Sequence, residues 1–383
     1  MKQSLLLRFL DLLRCPGCGG NLNVQTFTPN ELDVIEGVLT CDCGHWYPIE
    51  NGIPRLFIPG PLRPSDAEFI TKWGSKLSDN IRSLDIKAQS SSDVQVQKTF
   101  GHKWTKQHWW GIEGKTAQFM EEWLLPRYGW KNKVNYEKYF SEEKVCLDAG
   151  CGLGREALRM ASANSRSLVI GLELSECVDE AARHAREKKA NNVFFIQADL
   201  TRPPLKQGSV DFIISEGVLH HTPDTKVAFM ALVPLLAKNG EFGFYVYRKK
   251  APLREYADDY IREQIAHLEP EDAWRSLESL TKLGKNLSEL KVSVSIEEDI
   301  PLLDIKAGNY DIQRLIYYTM FKCFWNADFT FDENVHINYD WYTPRFAWRH
   351  TENEIRDWLK ENGLLLAHEN IEDAGITVRA KKV

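Results

Sequence analysis

The sequence predicts an α/β chain built on a doubly wound, mostly parallel sheet with two additions, and three observations predict it. From Val145 onward, short β-branched and aromatic runs alternate with helix-period segments, as units of strand, helix and parallel strand require. Four of the eight cysteines crowd into residues 15 to 43, the pattern of a metal-stapled module ahead of the sheet. Residues 251 to 345 interrupt the alternation with an acidic, aromatic insertion that a minimal sheet does not need.

Composition fits such a chain. Its 383 residues are 43% hydrophobic and 27% charged, which supplies a core and excludes wholesale disorder and fibrous classes. A formal charge of -6 gives no global field for nucleic acid or an anionic membrane, so nucleic acid is not the expected partner. No run reaches the ~20 apolar residues of a membrane span. SLLLRFLDLL near the start is broken by Arg8 and Asp11, which spoils it as a signal-peptide core, so a cytoplasmic location is expected.

Residues 1–60 hold Cys15-Pro-Gly-Cys18 and Cys41-Asp-Cys43-Gly-His45, each pair in a glycine-rich turn. Two such knuckles brought together by a hairpin close a tetrahedral zinc shell, which replaces the core so short a module cannot build. The expected ligands are Cys15, Cys18, Cys41 and Cys43. The C-x-C spacing of the second pair is tight, which keeps His45 as a substitute ligand, and a metal-free ribbon or a disulfide as alternatives. LLRCPGCGGNL and LTCDCGHWYPIENGIPRLF resemble the zinc-ribbon domain of the methyltransferase-activator family over most of residues 10 to 58. In that family the ribbon activates a separate methyltransferase or is fused ahead of one. With every ligand position a cysteine, the ribbon reads as structural.

Residues 61–143 are expected to be a linker followed by an aromatic helical segment. PGPLRP and QSSSD within 59–95 have little periodicity, whereas KTFGHKWTKQHWWGIEG and FMEEWLLPRYGW are too rich in Trp to stay in solvent. That segment either buries apolar surface as a lid or lines a pocket.

The core is expected over 144–250 and again over 346–383. VCLDAG reads as a strand, CGLGR as a glycine turn, EALRMASA as a helix and SLVIGLEL as the next strand. Gly150, Gly152 and Gly154 let the backbone approach a ligand closely, and Glu173 ends the second strand where ribose hydroxyls are held. A nicotinamide fingerprint needs a small residue where Arg155 stands. Asp148 would repel a pyrophosphate but suits a ligand carrying an ammonium and a sulfonium, and S-adenosylmethionine has those charges. ECVDEAARHAREKK, NVFFIQAD, VDFIISEG, TKVAFMALVPLLAK and GEFGFYVYRKK continue the alternation, and TENEIRDWLKENG, LLLAHENIED and GITVRAKK complete a seven-stranded Rossmann-like sheet.

LDAGCGLGR, IGLELS, QADL and VDFIISEGVLHHTPD resemble class I S-adenosylmethionine-dependent methyltransferases over 144–250 and 350–382. FGHKW and DWYTPRFAWRHTENEI are similar to fused zinc-ribbon methyltransferases of glycan and secondary metabolism. The resemblance assigns Gly150, Gly152 and Gly154 to the cofactor backbone, Glu173 to the ribose, Asp199 with the Leu200 backbone to the adenine, and Asp148 to the methionine end. Glu216 and Gly217 would sit near the methyl group. His220 and His221 either shape the pocket or supply a base.

The insertion 251–345 carries ten Lys and Arg against eighteen Asp and Glu. It is expected to be a helical cap, with Trp341 and Tyr342 touching a neutral or cationic acceptor, although most of its aromatics read as helical core. The expected activity is methyl transfer to an O or N nucleophile of a small molecule, sugar, or glycan or secondary-metabolite precursor. The alternatives are an RNA or protein methyltransferase that docks through the ribbon, and a non-catalytic interaction protein on the same fold.

Overall fold

The computed structural model describes residues 2–27, 35–57, 64–77 and 112–383. FGHKW and the rest of 98–111 lie outside the described residues. The chain divides into two compact units, one made of Met1–Val246, Asn353–Asn370 and Thr377–Val383, the other of Tyr247–Glu352 and Ile371–Ile376. Among the described residues no helix is long and apolar enough to cross a membrane.

In the first unit, helix Lys2–Leu12 leads into a ribbon of four strands, β1 (Asn23–Thr26), β2 (Gly37–Thr40), β3 (Trp46–Glu50) and β4 (Ile53–Pro54), in that order, with antiparallel neighbours. Asn51 and Gly52 join β3 to β4 with φ of 53° and 80°, the two left-handed residues that a two-residue hairpin turn demands. Expected as linker, residues 64–73 instead form helix Pro64–Trp73. Phe69 and Trp73 lie one turn apart, and Phe69 is buried with its ring 6.2 Å from Phe27 and 6.3 Å from Trp46. The flanking proline and serine masked that short apolar stripe.

The main sheet comprises β5 (Val145–Ala149), β6 (Leu168–Glu173), β7 (Val193–Gln197), β8 (Val210–Glu216), β9 (Leu236–Tyr247), β12 (Leu364–Ile371) and β13 (Gly375–Lys382), in the order β12-β13-β9-β8-β5-β6-β7. The pairs β5 with β6, β5 with β8, β6 with β7 and β8 with β9 are parallel. Every residue of β5 is buried, as a central strand covered on both faces must be. Helices Arg155–Ala163 and Cys177–Glu187 supply the crossovers on this half of the sheet. The described part of the aromatic segment forms helices Gly114–Arg127 and Lys133–Tyr139, and Trp130 between them packs on Phe212 of β8, 5.9 Å between rings, and edge-on to Tyr136 at 5.0 Å. Buried rings of this size contribute about 1.5–3 kcal/mol each.

The ribbon closes the β7 edge of the sheet. Leu56 N donates to Gln197 O at 2.8 Å, extending the ladder past β4. The buried Arg55 guanidinium donates to both Asp179 oxygens at 3.0 and 2.7 Å and to Gln197 Oε1 at 2.9 Å. Phe9 stacks on Phe194 at 4.9 Å. An otherwise bare edge strand is thereby covered.

In the second unit, helices Pro252–Ile265, Pro270–Glu289, Ile312–Thr319 and Phe331–Tyr342 accompany a hairpin of β10 (Ser293–Ile296) and β11 (Gly308–Asp311). Thr330 and Glu333 form a reciprocal cap at the start of the last helix. Trp341 and Tyr342, expected to touch substrate, are 3% and 1% exposed and donate to the buried Asp258 at 2.8 and 2.7 Å. They belong to this unit's interior, where a carboxylate needs such donors to be tolerated at all.

Candidate active site

Strand β5 is flanked by β6 on one side and β8 on the other, so the chain order reverses there and the carboxyl ends of these strands frame a crevice. Gly150 leaves β5 with φ of 84°, and a β-carbon on it would stand 2.3 Å from Val218 Cγ1, so only glycine allows this approach. Gly152 follows in the turn, and Gly154 caps helix Arg155–Ala163.

Glu173, at the end of β6, is joined to that loop. Its Oε2 accepts from Gly152 N at 3.0 Å and its Oε1 from Ser175 N at 2.8 Å. Asp148 is 2% exposed and accepts from Ala157 N at 2.9 Å, fixing the loop to the first turn of the helix. Burial, and then the neighbouring Glu156, push its carboxyl up to about 8. Glu156 lies between Arg155 Nε at 2.6 Å and Arg159 Nη1 at 3.2 Å. Asp199 follows β7 and accepts from Thr201 N at 2.8 Å, beside the buried Leu200.

At the end of β8 the sequence reading missed two partners of Glu216. Tyr128 donates its hydroxyl to Glu216 Oε2 at 2.5 Å, and Arg127 Nη1 donates to Oε1 at 3.2 Å. Arg127 also donates to Thr377 Oγ1 through Nε and Nη2, with its guanidinium 3.7 Å from the Trp123 ring centroid and 4.3 Å from that of Tyr245. Burial and the adjacent Glu216 raise the Tyr128 phenol well above its ordinary value. The only local sign was a polar Arg-Tyr pair inside the apolar run LLPRYGW. Gly217 turns the chain with φ of 74°, and the short helical turn Leu219–His221 then buries His220 and His221, ring centroids 4.2 Å apart, with His220 edge-on to Tyr245 at 6.1 Å.

The candidate metal centre lies in the ribbon. The sulfurs of Cys15, Cys18, Cys41 and Cys43 all lie within 4.8 Å of one another, with Cys18 to Cys41 at 3.4 Å and Cys15 to Cys43 at 3.7 Å. Zinc-thiolate bonds of about 2.3 Å in a tetrahedron place sulfurs ~3.8 Å apart, so the four thiols fit that ion. His45 Nδ1 is 3.2 Å from Cys43 Sγ and Tyr47 Oη 3.1 Å from Cys15 Sγ, positions from which outer groups steady thiolates.

Residues 147–244 match the family model described as Methyltransferase domain, and residues 7–52 match that of Trm112p-like protein. The tRNA (guanine-N(7)-)-methyltransferase of Campylobacter jejuni subsp. doylei is 28% identical over 180 residues, 40% of this chain and 45% of that one. The chain thus spans less than half the length of this curated relative. The 27-O-demethylrifamycin SV methyltransferase of Amycolatopsis mediterranei is 41% identical over 81 residues, 20% of this chain and 29% of that one. Magnesium protoporphyrin IX methyltransferase from Synechocystis, solved with bound S-adenosylmethionine, aligns over 78% of this chain and 100% of its own at 15% identity and a TM-score of 0.41. The chain therefore carries a class I S-adenosylmethionine-dependent methyltransferase domain behind a Trm112p-like zinc-ribbon domain.

Proposed function

We propose that this chain transfers a methyl group to an oxygen or nitrogen nucleophile of a small molecule, sugar, or glycan or secondary-metabolite precursor. The observation that supports the methyl-donor half of the reading is the joined state of loop and acid: Glu173 already accepts from Gly152 N, so the glycine turn and the carboxylate form one preorganised cradle at the strand ends, while a small acceptor is favoured by a formal charge of -6 that offers no field to nucleic acid. In this reading Gly150, Gly152 and Gly154 line the backbone approach, Glu173 takes the ribose hydroxyls, Asp199 with Leu200 takes the adenine, and Asp148 steadies the methionine end through the loop. Bound S-adenosylmethionine supplies a methyl on a positively charged sulfur.

The chain's own residues then position and shield. Arg127 and Tyr128 fix both oxygens of Glu216, so that carboxylate, with Gly217 beside it, orients the acceptor rather than swinging. His220 and His221, buried on the turn after β8, shape the acceptor side, and a neutral imidazole there is able to take the proton that the nucleophile loses. Displacement at a sulfonium draws much of its rate from alignment, so such a proton transfer is an aid and not a requirement.

The tRNA methyltransferase relative favours a second reading, in which RNA is the acceptor. A labelled methyl donor offered with a metabolite panel and with total RNA separates them. Label in a small molecule supports the first reading. Label confined to RNA, falling steeply with salt, replaces it with the second.

A further inference from the structure

The net negative charge of the insertion hides a cationic interior. Trp341 is 3% exposed, and four cations surround its indole: Lys250 Nζ at 5.5 Å from the ring centroid, Arg254 Cζ at 5.3 Å, Arg262 Cζ at 5.0 Å and Lys322 Nζ at 5.1 Å. The carboxylate at their centre is already saturated. Asp258 Oδ2 accepts from Arg254 Nε at 3.1 Å and Trp341 Nε1 at 2.8 Å, and Oδ1 accepts from Lys322 N at 3.0 Å and Tyr342 Oη at 2.7 Å. A carboxylate offers about four acceptor positions, so none is left for a further cation.

The remaining positive charge is held by dipoles and by the ring. Lys250 Nζ donates to the Asp373 and Ala374 carbonyls, and Arg254 Nη1 to the Tyr317 carbonyl. Arg262 Nε and Nη2 are buried and meet no acceptor among the described residues. Lys322 is 7% exposed, and its ammonium faces the indole. Asp340 and Asp258 attract it, while Arg254 and Arg262 repel it. Burial first, and repulsion from neighbouring cations with it, lower Lys250, Arg262 and Lys322, the last to about 7. Buried donors without acceptors are costly, so two guanidinium nitrogens in that state beside a buried lysine would be stabilised by an acceptor placed between them.

We propose that this unit binds an oxyanion, a phosphoryl group of about two negative charges, between Arg262 and Lys322 beside Trp341. A guanidinium with two open nitrogens matches two oxygens of such a group, and a lysine amine takes a third. The indole holds the cations in place by cation-π attraction while the site awaits its ligand. The site stands apart from the methyl-transfer reading, because its residues all lie in the second unit and anion binding needs no methyl donor.

Calorimetric titration of the full chain with sodium sulfate and with inorganic phosphate, against chloride at matched ionic strength, tests it. Sulfate keeps its charge across the working pH range. Saturable binding at least about tenfold tighter than chloride is expected, and about a tenfold loss in Arg262→Gln and in Lys322→Met. Without added anion, Arg262→Gln should melt no lower than the parent, since an uncompensated buried cation has gone. Should that variant fail to fold, Lys322→Met carries the test alone. Sulfate that behaves as chloride does overturns the proposal. So do variants that melt lower while binding sulfate as the parent does, for then the cations only pack against Trp341.

Discussion

Replacing Glu173 by Gln tests the cradle at its joint. The two backbone donors lie at 3.0 and 2.8 Å, and the glutamine carbonyl can satisfy only one of them without charge. Losing one charge-assisted bond costs about 1.5–3 kcal/mol when the acceptor is buried, and Glu173 is only partly buried, so the lower half of that range applies to the loop. The lost acceptor for a ribose hydroxyl pair adds a similar amount. Together, about 3 to 4.5 kcal/mol, they predict S-adenosylmethionine affinity about 100- to 1,000-fold weaker, at about 1.4 kcal/mol per tenfold. Calorimetric titration of the parent and Glu173→Gln reads this directly, with zinc content as the control for folding of the ribbon. Affinity within about twofold of the parent would refute the reasoning, as would saturable binding of a nicotinamide dinucleotide in place of S-adenosylmethionine.

Three further outcomes follow from particular contacts. Arg55→Ala removes the buried guanidinium that joins the ribbon to Asp179 and Gln197; because the Asp179 side chain is 37% exposed and can rehydrate, about 2–3 kcal/mol of stability should be lost in denaturant titration with zinc retained, and a loss near zero would show the ribbon held by other contacts. Cys15→Ser with Cys43→Ser should abolish the one zinc per chain measured by metal analysis, and full retention would place any ion elsewhere. Asp148 stands at about 8 without ligand against ~3.9 in an unfolded chain, so this group makes the ligand-free protein less stable as pH rises from about 4 to 8. A cationic methionine end favours the carboxylate, so binding at pH 7 should release about one proton and tighten as pH rises toward 8; calorimetry in buffers of different ionisation enthalpy would show no release in Asp148→Asn, and none in the parent would contradict the placement.

The sheet was readable because each of its strands is a local signal: VCLDA, LVIGLE and VDFIISE are apolar runs bounded by glycine or acid, and the helices between them keep their own period. The cysteine knuckles were equally local. What escaped depends on distance along the chain. Arg127 and Tyr128 meet Glu216 and Thr377 only after the strands assemble, and Arg55 meets Asp179 only when the ribbon closes on β7. The insertion shows the same limit in its charge. A count of ten against eighteen sums the whole segment, whereas its Arg254, Arg262 and Lys322, with Lys250 just ahead of it, converge on one indole through folding. Trp341 and Tyr342 were read as substrate contacts because aromatic density alone does not tell a pocket wall from a core. Their donors to a buried Asp258 do.

The central claim, methyl transfer to a small acceptor, is tested most directly by mass spectrometry of a cell extract incubated with the full chain and a methyl-deuterated donor. The account predicts a small molecule that gains one deuterated methyl group with the parent chain and does not with Glu173→Gln. A deuterated methyl found only in the nucleic-acid fraction, or in no fraction while the donor binds normally, would contradict it.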